Sequence, residues 1–226
     1  MSFKLTMGDM IRRAVAKYAD REACIYKDVR LTFREFDERV NRLQNALISL
    51  GVKKGERVAG LMRNSHYAME VMFALYKAGY VNVPLNARDS QEEHLYKTSF
   101  PECSVLFFAK EYEEAVRSIL HQLTTVKHFI CVDGESDYGL SYAELLEASS
   151  PEDPHVPVEE TDLSFIKFTS GTTGRPKGAM INHGIEIHHV VSQFISGCQP
   201  TEKDVVVHSA PVTHASGRLI APFFLR

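Results

Sequence analysis

The chain has 226 residues, of which 44% are hydrophobic and 24% charged, and its formal net charge is −3. This composition is typical of a globular protein with a sizeable core, and the charge gives no electrostatic reason to expect a nucleic-acid partner. No stretch approaches the roughly 18 uninterrupted apolar residues of a membrane span, and the N-terminus lacks a secretion-signal pattern, so we expect a cytoplasmic protein.

Amphipathic helices alternate with short apolar strands up to residue 150. Met7–Tyr18 has apolar residues at helical spacing, and Thr32 with Glu35 forms a capping box that begins a helix closed by Gly51. The other predicted elements are a hairpin at 23–26 and 29–32, strands at 57–62, 81–85, 105–109 and 128–132, and helices at 67–78, 91–98, 113–123 and 142–148. This order predicts an α/β fold of stacked βαβ units with largely parallel sheets.

Residues 149–162 are rich in proline and acidic side chains, which interrupts the alternation and predicts a surface connection. A strand at 163–168, a helix at about 186–196 and a last strand at 205–209 follow. We therefore predict a first α/β subdomain at residues 1–150, a linker at 151–162 and the start of a second subdomain at 163–226.

The sequence Thr-Ser-Gly-Thr-Thr-Gly-Arg-Pro-Lys-Gly at residues 169–178 directly follows the apolar strand at 163–168. Glycines let successive backbone N–H groups turn inward and form an anion-binding concavity. The hydroxyl groups add donors, and Lys177 adds a compact positive charge. The segment therefore predicts a loop that binds a polyphosphate, most simply ATP.

Two familiar phosphate loops do not fit this segment. The Walker pattern requires Gly-Lys-Ser/Thr, whereas Pro176 precedes the lysine and Gly178 follows it. The dinucleotide pattern Gly-x-Gly-x-x-Gly is also absent. A flexible surface turn is the structural alternative, but such a turn does not require Arg-Pro-Lys-Gly.

The ten residues 169–178 instead resemble, position by position, the signature of the adenylate-forming superfamily. This superfamily of AMP-dependent synthetases and ligases includes acyl-CoA synthetases, luciferases and peptide-synthetase adenylation domains. Leu-Thr-Phe-Arg-Glu-Phe at 31–36 and the Lys-Ala-Gly and Pro-Leu-Asn groups within 75–86 are similar to two of its structural segments. Residues 211–217 resemble its segment beside the acyl pocket. The resemblance runs from about Thr6 to Arg226 and implies the N-terminal part of the family's large domain, with the ATP loop and acyl pocket in residues 163–226.

The resemblance also implies roles for particular residues. His214 would border the acyl group, although a histidine at a strand exit can equally be satisfied by nearby backbone. No catalytic residue is assignable in this segment. The five histidines at 183, 188, 189, 208 and 214 lack zinc-ligand spacing, so we predict no metal site. The implied ATP-binding residues are Thr169, Ser170, Gly171, Thr172, Thr173, Gly174 and Lys177.

The implied activity is that of an ATP-dependent carboxylic acid–CoA ligase of fatty acid metabolism, with ATP, Mg²⁺ and coenzyme A as cofactor and co-substrates. The family's magnesium-site carboxylate, its ribose-binding aspartate and its C-terminal domain with a catalytic lysine have no counterpart in this sequence. We therefore expect a truncated N-terminal portion with little turnover of its own. A non-catalytic nucleotide- or partner-binding fragment and a peptide-synthetase-type adenylation domain are the alternatives. The identity of the acid and the oligomeric state, a homodimer included, stay open.

Overall fold

The computed structural model describes residues 5–169, 176–212 and 215–225, and it has the alternating α/β order that the sequence predicts. Short 3₁₀ turns at Lys110–Tyr112, Leu120–Gln122 and Ala215–Leu219 supplement the main elements. The strands are β1 Glu22–Tyr26, β2 Val29–Thr32, β3 Arg57–Leu61, β4 Val81–Pro84, β5 Val105–Phe108, β6 His128–Cys131, β7 Leu140–Ser141, β8 Leu163–Thr169 and β9 Lys177–Asn182. The helices are α1 Met7–Tyr18, α2 Phe33–Ser49, α3 His66–Ala78, α4 Gln91–Ser99, α5 Glu113–Ile119, α6 Tyr142–Glu147, α7 His183–Ser196 and α8 Ile220–Phe224.

Helix α2 shows how closely local sequence sets the fold. The Thr32 hydroxyl accepts from the Glu35 backbone N–H and the Glu35 carboxylate accepts from the Thr32 N–H, which confirms the predicted capping box. The apolar face of the helix is fully buried at Phe36, Val40 and Leu43. A helix of this kind gains most of its stability from packing that face.

Seven strands form one sheet in the order β7-β6-β5-β3-β4-β8-β9, and β1 and β2 form a separate antiparallel hairpin. Neighbouring strands from β7 to β8 are parallel, while β9 runs antiparallel to β8 at the edge. The prediction of a largely parallel sheet is therefore confirmed.

The central strands are buried on both faces. In β5, Val105 and Phe107 contact a large apolar cluster with α1, α2 and α3, whereas Leu106 and Phe108 contact a second cluster with α5. A parallel sheet covered on both faces explains why this strand is a continuous apolar run in the sequence.

Residues 149–162, which we call the strap, lie across the helical layer. The strap residue Asp153 accepts from Arg12 Nε at 2.7 Å and lies 2.9 Å from Lys77 Nζ. Lys77 is fully buried, and its Nζ also donates to Asp37 at 2.7 Å and to Asn41 at 2.6 Å. The strap therefore neutralises a charge inside the protein. Its role as the boundary between two subdomains stays a prediction; β8, which follows it, joins the same sheet beside β4.

A second buried carboxylate, Glu70, joins three helices. Arg39 of α2 donates to both of its oxygens at 2.7 and 3.1 Å, and the Tyr142 hydroxyl of α6 donates to one of them. His66 Nδ1 lies 3.1 Å from Glu70. Burial is the largest single effect on the pKa of Glu70 and acts to raise it. The hydrogen bonds together outweigh burial and hold this pKa below its ordinary value.

Two parts of the strand prediction were wrong. Residues 205–209 form no strand, and Val205 and Val207 are 80% and 86% exposed. Strand formation needs a hydrogen-bonded neighbouring strand, and no strand in the described part of the chain pairs with these residues. Strands β7 and β9 were not predicted, because β7 has only two residues and β9 follows the glycine-rich loop without alternating burial.

Candidate functional site

The predicted phosphate loop leaves the sheet at the carboxyl ends of the parallel strands. Strand β8 is parallel to β4, with Phe165 opposite Asn82, and it ends at Thr169. Ligands of open α/β sheets bind outside this edge. The fold therefore places Thr169, the last residue of β8, at the edge where a ligand site is expected.

Thr169 and Lys177 lie opposite each other at the base of this loop. They are the last register pair of the β8–β9 hairpin, and the Thr169 hydroxyl lies 3.5 Å from the Lys177 carbonyl oxygen, to which it donates. Both residues are exposed, and Lys177 makes no ion pair with any other described residue. A cation without an internal partner at this edge is available to an anionic ligand.

Close packing fixes the base of the loop. A Cβ at Gly178 would lie 2.9 Å from Ile166 Cγ2, so the strand after the lysine needs a glycine there. On the other side, the Tyr96 hydroxyl of α4 donates to the Pro176 carbonyl at 3.4 Å, and its ring meets Phe168 edge to face at 6.0 Å. The two ends of the loop are therefore held against α4.

Five of the predicted ATP-binding residues, Ser170, Gly171, Thr172, Thr173 and Gly174, lie outside the described residues, and so does His214. Of the predicted site residues, the structure places Thr169 and Lys177. The segment before His214 is bound to the same sheet edge by Asn64, which follows β3. Sequence reasoning missed Asn64, because its only signal is a side-chain amide between the end of a strand and the helix-capping Ser65.

Two of the histidines considered in the sequence have environments that disfavour the charged ring. Burial lowers the pKa of His183 to about 4, the nearby Asp162 and Asp9 only partly opposing this effect. Burial likewise lowers the pKa of His208. No group of three or more His, Cys, Asp or Glu side chains within residues 5–169, 176–212 and 215–225 is arranged to hold a metal ion.

No helix in the described ranges is both long and apolar enough to cross a bilayer. The cysteines at 24, 103, 131 and 198 carry free thiols, and burial raises the pKa of Cys103 to about 12.

The AMP-binding enzyme family matches residues 11–225, and the chain belongs to this family. It is 33% identical over 222 residues to a long-chain-fatty-acid–CoA ligase of Thermus thermophilus, an alignment covering 96% of this chain and 40% of the relative. A feruloyl-CoA synthase of an Amycolatopsis species is 34% identical, with 87% of this chain and 37% of the relative covered. The chain thus spans about two fifths of the length of these relatives.

Solved structures share the fold. The inhibitor-bound N-terminal domain of FACL13 from Mycobacterium tuberculosis superposes with a TM-score of 0.88 at 28% identity, covering 99% of this chain and 56% of that one. The predicted resemblance to adenylate-forming enzymes is confirmed, and so is the predicted fold class.

Proposed function

We propose that this chain supplies the phosphate-binding loop of an ATP-dependent carboxylic acid–CoA ligase. The observation that carries the proposal is the pairing of Thr169 with Lys177 at the carboxyl edge of the sheet. Membership of the AMP-binding enzyme family and the names of the relatives, which are ligases of fatty and aromatic acids with CoA, support it.

In the proposed reaction a carboxylate oxygen attacks the α-phosphorus of ATP, and pyrophosphate leaves. The thiol of coenzyme A then attacks the acyl carbon and displaces AMP. A protein accelerates the first step mainly by positioning the reactants and stabilising the charge that develops in the transition state. Lys177 is proposed to pair with an oxygen of the departing pyrophosphate, with Thr169 through Gly174 donating hydrogen bonds. Mg²⁺ would add further charge stabilisation, and we assign it no ligand among the described residues.

Carboxylate-dependent ATP–pyrophosphate exchange tests this proposal. Lys177→Ala is expected to lower the exchange rate by a factor of about 10²–10³, the usual cost of one oriented charge-stabilising group. Lys53→Ala, which removes an exposed lysine from a distant turn, is the matched control. Equal rates in the two variants would refute the role of Lys177.

Absence of exchange by the folded wild-type chain would refute adenylation by these residues alone. ATP binding, measured by equilibrium dialysis, would then show whether the chain binds nucleotide without turnover. That outcome corresponds to the non-catalytic alternative.

A further inference from the structure

Tyr96 of α4 contacts the chain on both sides of the pair formed by Thr169 and Lys177. Its ring meets that of Phe168, the residue before Thr169, edge to face with a centroid distance of 6.0 Å. Its hydroxyl donates to the carbonyl oxygen of Pro176, the residue before Lys177, at 3.4 Å. One side chain from another element therefore touches both the end of β8 and the residue that precedes β9.

A second aromatic ring holds the ring of Tyr96 in place. Phe100, the residue that caps the end of α4, stacks on Tyr96 with a centroid distance of 5.3 Å and an interplanar angle of 27°. Phe100 is 65% exposed, so this contact is made at the surface and not in the core. Residues four apart on a helix are neighbours, and stacked rings attract each other beyond the area that they bury. The ring of Tyr96 is therefore enclosed between Phe100 and Phe168.

Helix α4 is itself fixed to the end of β4, the strand next to β8. Lys97 Nζ donates to the Asp89 carboxylate at 2.7 Å, and both side chains are 10% exposed. His94 Nε2 lies 2.9 Å from the Asn86 carbonyl oxygen. Because Asn86 and Asp89 follow β4 directly, these contacts give Tyr96 a set position relative to the sheet edge.

The hydrogen bond to Pro176 acts on Lys177 through the peptide bond between them. The carbonyl of Pro176 and the N–H of Lys177 belong to one planar group. The proline ring restricts φ of Pro176, and the bond from Tyr96 opposes rotation about ψ, the other soft torsion of this residue. The direction in which the backbone enters Lys177 is therefore fixed from α4.

We infer that Tyr96 is a positioning residue for Lys177. Its hydroxyl holds the peptide group between Pro176 and Lys177, and Phe100 holds its ring. The inference rests on the proposed function for the anion that Lys177 would pair with, whereas the contacts of Tyr96 do not depend on that function. Tyr96 itself is assigned no contact with the ligand.

Tyr138 provides a matched control because it makes the same three kinds of contact elsewhere. Its ring stacks on Phe108 at 5.5 Å and meets Phe129 edge to face at 6.0 Å. Its hydroxyl donates to the Glu113 carbonyl oxygen at 2.8 Å. Tyr96→Phe and Tyr138→Phe therefore remove the same group from two similar environments. Phe100→Ala is the second test variant, because it removes the stacked ring and keeps the Tyr96 hydroxyl.

The first readout is a single NMR signal. Residues 176–177 are the one Pro-Lys sequence in the chain, so proline labelled with ¹³C at the carbonyl and lysine labelled with ¹⁵N mark only this peptide group. We expect its carbonyl signal, which responds to hydrogen bonding, to shift in Tyr96→Phe and in Phe100→Ala. It should stay in place in Tyr138→Phe.

The second readout is the dissociation constant of inorganic pyrophosphate, obtained by titrating the same signal. Loss of one hydrogen bond that positions Lys177 should weaken pyrophosphate binding about threefold to tenfold in Tyr96→Phe. Tyr138→Phe should bind pyrophosphate as the wild type does. A side chain that only packs against the hairpin would leave both readouts unchanged when its hydroxyl is removed.

An unshifted signal in Tyr96→Phe would overturn the inference, and so would a shifted signal with the pyrophosphate affinity of the Tyr138→Phe control. An unshifted signal in Phe100→Ala would overturn the role given to Phe100. If Tyr96→Phe fails to fold, the same two criteria apply to Phe100→Ala. A wild-type chain that binds no pyrophosphate would instead contradict the proposed function, and the signal of the ligand-free variants would then decide alone whether Tyr96 positions Lys177.

Discussion

Lys77→Met is expected to be strongly destabilising, and its cost can be worked out from the structure. Methionine keeps the buried stem but removes a charge that contacts Asp37, Asn41 and Asp153. Removing one partner of a buried ion pair costs about 3–5 kcal/mol. Because Arg12 still pairs with Asp153, and Asp37 is partly exposed and still accepts from Asn41, we expect the lower end, about 3 kcal/mol.

Urea unfolding followed by far-ultraviolet circular dichroism measures this cost in a chain that has no tryptophan. Lys53→Met, at an exposed position, is the control and should change stability by less than about 0.5 kcal/mol. Adding Asp37→Asn to Lys77→Met should recover part of the loss, because it neutralises one of the stranded carboxylates. A loss in Lys77→Met no larger than that in the control would refute the reasoning.

The remaining predictions concern pH, packing and hydrogen bonding. The pKa of His183 is about 4 in the folded chain and about 6.5 in the unfolded chain. Between these pH values only the unfolded state gains a proton, so the free energy of unfolding decreases as the pH is lowered. When the pH is lowered from 7.5 to 5, the free energy of unfolding should decrease by about 2 kcal/mol less in His183→Gln than in the wild type. Equal decreases in the two proteins would contradict this. Gly178→Val should weaken the β8–β9 hairpin by about 1–3 kcal/mol in urea unfolding, since even a Cβ would press on Ile166; a neutral result would contradict the packing argument. Tyr142→Phe should cost about 1.5–3 kcal/mol by leaving Glu70 one donor short, and a change below 0.5 kcal/mol, roughly the level of surface substitutions, would count against a buried network.

Most of the helices and strands that were predicted correctly are specified by residues close to one another in the sequence. The helix at Met7–Tyr18 has the predicted bounds, and Gly79 ends α3 with φ of 68°, the left-handed conformation that its glycine suggests. Such features depend on residues within one or two turns of each other. They were readable because caps and apolar spacing act locally.

Features that depend on distant partners could not be predicted. Residues 205–209 have strand-like composition, but strand formation depends on a neighbouring strand that the local sequence does not specify. The contact of Asp153 with Lys77 likewise joins a segment that looked like a solvated linker to a buried lysine. Neither pairing leaves a periodic signal in the chain.

The candidate site likewise has a part that the sequence predicts and a part that it does not. The phosphate loop could be predicted because its glycines, hydroxyls and lysine are contiguous, and the structure puts Thr169 and Lys177 at its base. Asn64 could not, because its role comes from a segment more than 140 residues further along the chain. A single asparagine after a strand is otherwise typical of an ordinary turn.

The strap has a consequence for the order of events during synthesis. Helices α1 to α3 are complete at Ala78, whereas the carboxylate of Asp153 follows on the order of ten seconds later at usual translation rates. Until then Lys77 has Asp37 as its available acid, and Arg12 has Asp9. The helical layer can therefore acquire its final charge balance only after the first seven strands, β1 to β7, have been synthesised. The helical layer of α1, α2 and α3 is therefore completed by a residue that follows it in the chain.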